Sequence, residues 1–287
     1  MTRTGWLGLA MAAVLGVSAH AATPAAISTD PPADVGHPAR MEVLHIPTGG
    51  VLVNGVAYVA SGAGPHPTVV LLHGLPGNEK NLDLAQAIRR AGWTVVTFNY
   101  RGSWGSPGVF SFKGNLADAA AVLAYVRTPA AATKLGVDPK TIVLAGHSMG
   151  GWVTSQVAGA DPNLAGAIMI SAADSAERSK APVAIRLSAA ANNMESLAGV
   201  TAESMAQEMT TLGEASFSAA APGLAKHPLL VPTSDDGLGP PAEALAADVA
   251  RRGGKVTALH VATDHGWNTA RIRLETEVIN WLEALPK

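Results

Sequence analysis

A mainly parallel, doubly wound α/β sheet with a short helical cap is the fold class predicted by this 287-residue sequence, and three observations predict it. Short apolar runs recur at Val69–Leu72, Thr94–Phe98, Ile142–Ala145, Ala167–Ile170, Leu229–Val231 and Val256–Val261, with the length and composition of buried strands. Helix-compatible stretches near Leu82–Ala91, Leu116–Arg127, Gly151–Ala158, Ala242–Gly253 and Ile272–Leu285 alternate with them. Strands joined by helical crossovers form a parallel sheet covered on both faces. Finally, Gly146-His147-Ser148-Met149-Gly150 joins the run Ile142–Ala145 to helical residues from Gly151 onward, which puts a serine on a sharp strand-to-helix turn.

Taken in order, Met1–Thr4 supply one positive side chain, Arg3, ahead of the apolar stretch Trp6–Val17 and the small-x-small sequence Ala19-His20-Ala21. This is the layout of a secretory signal peptide over 1–21, cleaved after Ala21, and it predicts a periplasmic or secreted protein. The apolar stretch is shorter than a bilayer requires, so no membrane association is expected after cleavage. Residues 22–40, rich in Ala, Pro and Asp and without periodicity, predict a flexible leader. A single domain is expected over 41–287, long enough to bury its own core. Val51-Leu52-Val53 and Val56-Ala57-Tyr58 flank Asn54-Gly55, a dipeptide suited to a type I′ turn, so a hairpin is expected to open the sheet. Between Ala173 and Lys226 about fifty residues of helical character exceed the usual connection length and predict a cap insertion at 173–226. Met205, Met209 and Leu212 follow i, i+4, i+7 spacing there, which suits either packing of the cap onto the domain or the wall of a pocket.

Composition narrows the function. Net charge is −2 with no lysine or arginine block, so no nucleic-acid partner is expected, and small molecules or short peptides fit better. The chain has no cysteine, which excludes thiolate catalysis, cysteine-ligated zinc and disulfide stapling. Neither H-E-x-x-H nor a dinucleotide fingerprint is present, so no metal and no cofactor are expected.

Ser148 is the candidate nucleophile. A serine hydroxyl attacks well only when a base removes its proton and nearby donors stabilise the resulting oxyanion. Val69–Leu72 runs into His73-Gly74-Leu75-Pro76-Gly77, a loop able to aim backbone N–H groups at the sheet's carboxyl edge. Pro76 has none to give, so Leu75 N–H is the candidate donor, with Met149 N–H at the elbow as the second. Among the histidines, His265 lies just past a late strand in Thr263-Asp264-His265-Gly266-Trp267, where a loop can return the imidazole to that edge. His147 is expected to point away from Ser148, and His73 to pack beneath its own loop. The acid should follow a strand between serine and histidine, and Asp235-Asp236 after Leu229–Val231 supply two candidates. Trp104 and Trp267 suit either an acyl pocket or ordinary packing.

With these motifs in this order, the chain resembles the α/β-hydrolase superfamily over roughly Met41 to Lys287. The resemblance implies an α/β-hydrolase fold and a Ser148, Asp, His265 triad. Asn99-Tyr100-Arg101-Gly102 is similar to the family's Tyr-Arg-Gly turn, which implies a structural role for Arg101. Asp235-Asp236-Gly237-Leu238 with Pro240 resembles the acid loop of the prolyl-oligopeptidase branch, whose first aspartate is the triad member, and this favours Asp235 over Asp236. The chain lacks that branch's propeller, and His73-Gly74-Leu75 stands where a tyrosine-bearing loop would be. It is closer to esterases and dienelactone-hydrolase-like enzymes.

The expectation is a serine hydrolase that cleaves a small-molecule ester through an acyl-enzyme, with Ser148, Asp235 and His265 as triad and Leu75 and Met149 as oxyanion donors. A peptidase with the same triad, an acyltransferase and an inactive binding scaffold are the alternatives.

Overall fold

Runs of β-branched and apolar residues form eight strands in the computed structural model of the protein, which describes residues 22–286. They are β1 (Arg40–Thr48), β2 (Val51–Val59), β3 (His66–Leu72), β4 (Thr94–Phe98), β5 (Val137–His147), β6 (Gly166–Ile170), β7 (Leu229–Ser234) and β8 (Val256–Val261). One sheet of order β1-β2-β4-β3-β5-β6-β7-β8 contains them all. Strands β3 to β8 run parallel, and β2 is antiparallel to both of its neighbours. The expected α/β class therefore holds. The signal peptide expected over 1–21 lies outside the described residues.

Successive strand residues point to opposite faces, which divides the core in two. Val70, Leu72 and Leu144 pack under α2 (Phe112–Val126), α4 (Met149–Ala160) and α9 (Gly239–Arg251). Val69, Leu71, Val143 and Ile168 pack under α1 (Leu82–Arg90) and α10 (Arg271–Glu283). Each such side chain, fully removed from water, contributes about 1.5–3 kcal/mol. A short α3 (Pro129–Leu135) precedes β5, with Thr128 accepting from Ala131 N–H as its N-cap.

The opening hairpin forms, but not where the sequence placed its turn. Gly49 and Gly50, at φ 52° and 81°, make the two-residue loop between the paired Thr48 and Val51. Asn54-Gly55 instead lies inside β2, where Asn54 N–H donates to Ser106 Oγ (2.9 Å) and its side-chain amide to Gly105 O (2.9 Å). Alternation in β1 is blurred because Met41 and Val43 face outward while Leu44 and Ile46 face the core. The leader also departs from expectation: Ala25–Ile27 forms a turn of 3-10 helix. Its Ala26 and Ile27 pack on the α1/α10 core, and Arg90 Nη2 donates to Ile27 O (3.1 Å).

Four helices between β6 and β7 make up the expected insertion: α5 (Ser175–Arg178), α6 (Val183–Ala191), α7 (Ala202–Met209) and α8 (Phe217–Leu224). Helix α8 lies so close to α4 that a Cβ on Gly223 would sit 1.8 Å from Gly159 O. Asp174 fastens the insertion at its start, accepting from Ala176 and Glu177 N–H with one oxygen and from Phe217 N–H with the other. Glu208 fastens it to α2, accepting from Ser111 Oγ (2.6 Å) and Lys113 N–H (3.1 Å). Among the described residues no helix is long and apolar enough to cross a membrane.

Arg101 has the structural role implied by its turn. Its Nε donates to the fully buried Asp118 (2.6 Å), whose carboxylate also accepts from Arg101 N–H (2.9 Å) and Thr48 Oγ1 (2.7 Å). Removing the carboxylate leaves these donors unmatched inside the protein. Asp118→Ala is expected to lower stability by about 3 kcal/mol in urea unfolding, whereas disrupting the exposed Lys180–Glu177 pair with Lys180→Ala should leave the midpoint unmoved.

Candidate active site

Strand β5 delivers Ser148 at the carboxyl edge of the sheet with φ 58° and ψ −121°, a region that ordinary residues avoid. Tertiary contacts hold it there. Ser148 N–H donates to Ile170 O (3.0 Å), and Ser148 O accepts from Gly151 N–H (2.9 Å), Trp152 N–H (3.3 Å) and Ala173 N–H (3.1 Å). The motif glycines permit the approach: a Cβ on Gly146 would lie 2.1 Å from Gly150 O, and one on Gly150 would lie 2.6 Å from Leu72 O. Across the gap, a Cβ on Gly74 would stand 2.9 Å from Ser148 Cβ. The Ser148 hydroxyl has no hydrogen-bond partner among the described residues, and it opens into a cavity of about 320 Å³.

His265 and Asp236 line the same cavity. His265 Nδ1 lies 2.7 Å from Asp236 Oδ2, and the other Asp236 oxygen accepts from Leu238 N–H (2.8 Å). Burial works against ionisation of Asp236, but the hydrogen bonds from His265 and Leu238 outweigh it and hold the carboxyl below its ordinary range. Asp235, the residue favoured from sequence, is not against His265. Its carboxylate points the other way and meets His260 Nε2 (2.9 Å) on the exposed face of β8.

Packing fixes the His265 loop. Trp267 is fully buried in the α1/α10 core, and its Nε1 donates to Ser171 Oγ (2.9 Å), which in turn bonds Ser234 Oγ (2.7 Å). The ends of β6 and β7 and the histidine loop are thereby tied together, and Trp267 is an anchor and not a pocket wall. Asp264 accepts from Asn268 N–H (2.8 Å), and Arg271 Nη1 donates to Gly266 O (3.1 Å). His147 lies 2.8 Å by its Nε2 from His265 O, with ring centroids 4.6 Å apart. Sequence reading missed this contact, since nothing in the elbow motif says where its histidine goes.

The loop after β3 is braced from beneath and above. His73 packs under it, Nδ1–H donating to Gly74 O (2.8 Å) and the ring edge-on to Tyr100 at 4.8 Å. Pro76 O accepts from Trp104 Nε1 (2.6 Å) and Ser196 Oγ (3.3 Å). Trp104 is therefore a brace between loop and cap, and it lies outside the cavity lining. Leu75 and Met149 do line the cavity, and neither backbone N–H has an acceptor among the described residues. Met205 and Met209 are both buried and cavity-lining, whereas Leu212 is core alone, so packing and pocket roles coincide for the methionines. The described residues hold no cluster fit to bind a metal ion.

Two imidazoles in this region are inaccessible to water. Burial pushes His73 down to about 4, and burial together with the neighbouring His265 does the same to His147. Both are neutral in the fold, while those of an unfolded chain take up protons near 6.5. The stability they contribute is complete above pH 6.5 and is lost as pH falls toward 4, by about 3 kcal/mol each. Urea midpoints measured from pH 7.5 to 4.5 should fall steeply, and His147→Leu should remove roughly half of that slope.

The alpha/beta hydrolase family profile matches residues 69–279. Among curated proteins, the lysophosphatidylserine lipase ABHD12 of Danio rerio is 30% identical over 103 residues, 35% of this chain. That match spans only 25% of the relative's length. Among solved structures, the hyperthermophilic esterase of the archaeon Pyrobaculum calidifontis has a TM-score of 0.62 at 20% identity, covering 87% of each chain. The thermostable carboxylesterase EstE1 from a metagenomic library gives 0.63 at 22% identity over 88% of this chain and 91% of that one. A thermostable carboxyl esterase of Bacillus coagulans gives 0.68 at 13% identity over 85% and 98%. Identities this low speak for the fold alone, but the family match runs from β3 into α10 and takes in the loops that carry Leu75, Ser148, Asp236 and His265, and the chain belongs to the alpha/beta hydrolase family.

Proposed function

We propose that the protein is a serine hydrolase acting on carboxylic esters through Ser148, His265 and Asp236. One observation carries the reading: a serine in a strained turn, and a histidine whose Nδ1 is bonded to a buried carboxylate at 2.7 Å, open into one cavity. Asp236 takes the role that the sequence had given to Asp235.

In this mechanism Ser148 Oγ attacks the ester carbonyl while His265 Nε2 takes its proton. Asp236 keeps the proton on Nδ1, which leaves Nε2 as the basic nitrogen and stabilises the imidazolium. The Ser148–His265 hydrogen bond forms as substrate closes over the pair, since such contacts commonly tighten in the Michaelis complex. Negative charge that develops on the carbonyl oxygen is received by Leu75 and Met149 N–H, two donors with no other acceptor among the described residues. The imidazolium protonates the departing alcohol and leaves an acyl-serine. Water, deprotonated by His265, then releases the acid and restores Ser148.

The lining favours esters over the peptidase alternative. An aminopeptidase holds its substrate's ammonium group with a carboxylate, and among the described residues the one carboxylate lining this cavity, Asp236, is already bonded to His265 and Leu238 N–H. Apolar Phe112, Met205 and Met209 suit an uncharged acyl or alkyl chain. The names of the structural neighbours, esterases from several sources, agree with this choice.

Ser148→Ala should abolish both p-nitrophenyl acetate turnover and labelling by a fluorophosphonate probe. Asp236→Asn is expected to lower kcat by about 10³- to 10⁴-fold through loss of the correct histidine tautomer, with Asp235→Asn close to the parent. Steady-state kinetics on the three variants decide it: a large loss at position 235 with little at 236 would overturn the assignment.

A further inference from the structure

The cavity wall carries one charged group that the mechanism does not use. Arg178 ends α5 and lines the cavity on the cap side. Ser175, three residues earlier, lines it too, and residues at i and i+3 share a helix face, so this face of α5 is turned toward the cavity. Asp174 fixes the helix in place through its N-terminal N–H groups and Phe217 N–H.

The Arg178 side chain is exposed to solvent as well as to the cavity, and its guanidinium forms neither an ion pair nor a hydrogen bond with any described residue. Nearby carboxylates are already matched. Glu177 pairs with Lys180 (2.6 Å), Asp174 accepts backbone N–H groups, and Asp236 is bonded to His265. Much of the remaining wall is apolar, with Met205 and Met209 nearest in character to a hydrocarbon chain. A lone guanidinium beside an apolar cavity is a directional anion receptor, because its planar fork matches the two oxygens of a carboxylate. One guanidinium balances one negative charge, which suits a carboxylate better than a phosphate dianion.

Resting on the esterase reading above, we propose that Arg178 is a specificity-determining residue, and that the preferred substrates are esters bearing a second, free carboxylate at the far end of a short apolar chain. The carboxylate binds the guanidinium, the chain lies along the apolar wall, and the ester carbonyl is presented to Ser148. Hydrolysis itself is unchanged: the acyl–oxygen bond breaks, the alcohol leaves with the proton from His265, and water then breaks the acyl-serine bond, adding its hydroxyl to the acyl carbon to give the free acid and returning a proton to Ser148 through His265.

Two measurements test this separately from the esterase reading. The first compares kcat/KM for monoethyl glutarate, and for an acetate ester of a hydroxy acid, with their uncharged amide-capped counterparts, which also tells on which side of the ester the charge is held. The charged-to-uncharged ratio in the parent, on one side or the other, should exceed 10 and fall at least tenfold in Arg178→Gln, with Arg178→Lys in between. An unaltered ratio in Arg178→Gln overturns the proposal. The second is calorimetric titration of glutarate, a product analogue, into Ser148→Ala and into the Ser148→Ala, Arg178→Gln double variant. Binding at least tenfold tighter to the single variant supports the anion site even if no ester is hydrolysed, in which case the esterase reading alone falls. Equal binding by the two variants overturns the anion site even if neutral esters are turned over.

Discussion

The turn at Ser148 is the constraint to which the rest of the molecule conforms. A non-glycine residue at φ 58° and ψ −121° costs on the order of 1–3 kcal/mol and persists only where its surroundings over-determine it. Here the surroundings are three strands and one helix. Helix α4 begins against the end of β3, where a side chain on Gly150 would strike Leu72 O and His73 O, and against the residues after β6, where one on Gly151 would come within 2.4 Å of Ala172 Cβ. Backbone hydrogen bonds from Ser148 to Ile170 and from Ala173 to Ser148 then sew the turn to the exit of β6. A hydroxyl on such a turn is positioned by the sheet itself, which is why the site can sit on loops without depending on their stiffness.

The histidine is placed by different means. Its loop leaves the solvent-facing edge strand β8 and has no sheet neighbour beyond β7 to hold it. Buried polar pairs do the holding: Trp267 to Ser171 to Ser234 on one side, and His147 to the His265 carbonyl on the other. Because a carbonyl can only accept, His147 must carry its proton on Nε2, and its buried Nδ1 has no partner among the described residues. A neutral His147 therefore serves both packing and loop position. Protonation would place a buried positive charge against the His265 loop, so acid threatens the fold and the geometry at the same place.

Much of this was legible in the sequence, and the misses have identifiable causes. Strands buried on both faces are near-continuous apolar runs, so β3 to β7 were visible, as was the elbow with its glycines, while the half-exposed edge strand β8 showed as the run Val256–Val261. The hairpin turn was misplaced because Asn54-Gly55 and Gly49-Gly50 both satisfy the local rule, and the choice rests on β1, whose apolar residues lie on both faces. Asp235 and Asp236 differ by one residue, and at the end of a strand that selects the face. Thr233 pairs with His260 across the β7–β8 ladder, Asp235 N–H extends that ladder to Thr263 O, and Asp235 therefore shares the His260 face. Asp236 faces the other way, toward His265. Register carries that information, and composition does not. The leader was misread for a related reason: Ala26 and Ile27 have no pattern of their own and gain a place only through the groove between α1 and α10.

Specificity and chemistry are divided between parts of the chain that meet at Pro76. The groups proposed to handle bond-breaking come from the sheet edge, and two of them, the Leu75 and Met149 N–H groups, are backbone and indifferent to side-chain identity. The cap supplies side chains: Met205, Met209, Ala189 and Ala190 for the wall and Arg178 for charge. These halves are not independent, because Pro76 O accepts both from Trp104, on the loop after β4, and from Ser196, in the cap, while Trp104 N–H donates back to Ser196 O (3.0 Å). Leu75 is covalently next to that junction. A cap displaced by an ill-fitting ligand would pull on the carbonyl one residue from a proposed oxyanion donor, and donors act on a transition state only when they are already aimed at it. On the proposed mechanism, a side chain far from the scissile bond would influence turnover as well as binding through these three hydrogen bonds.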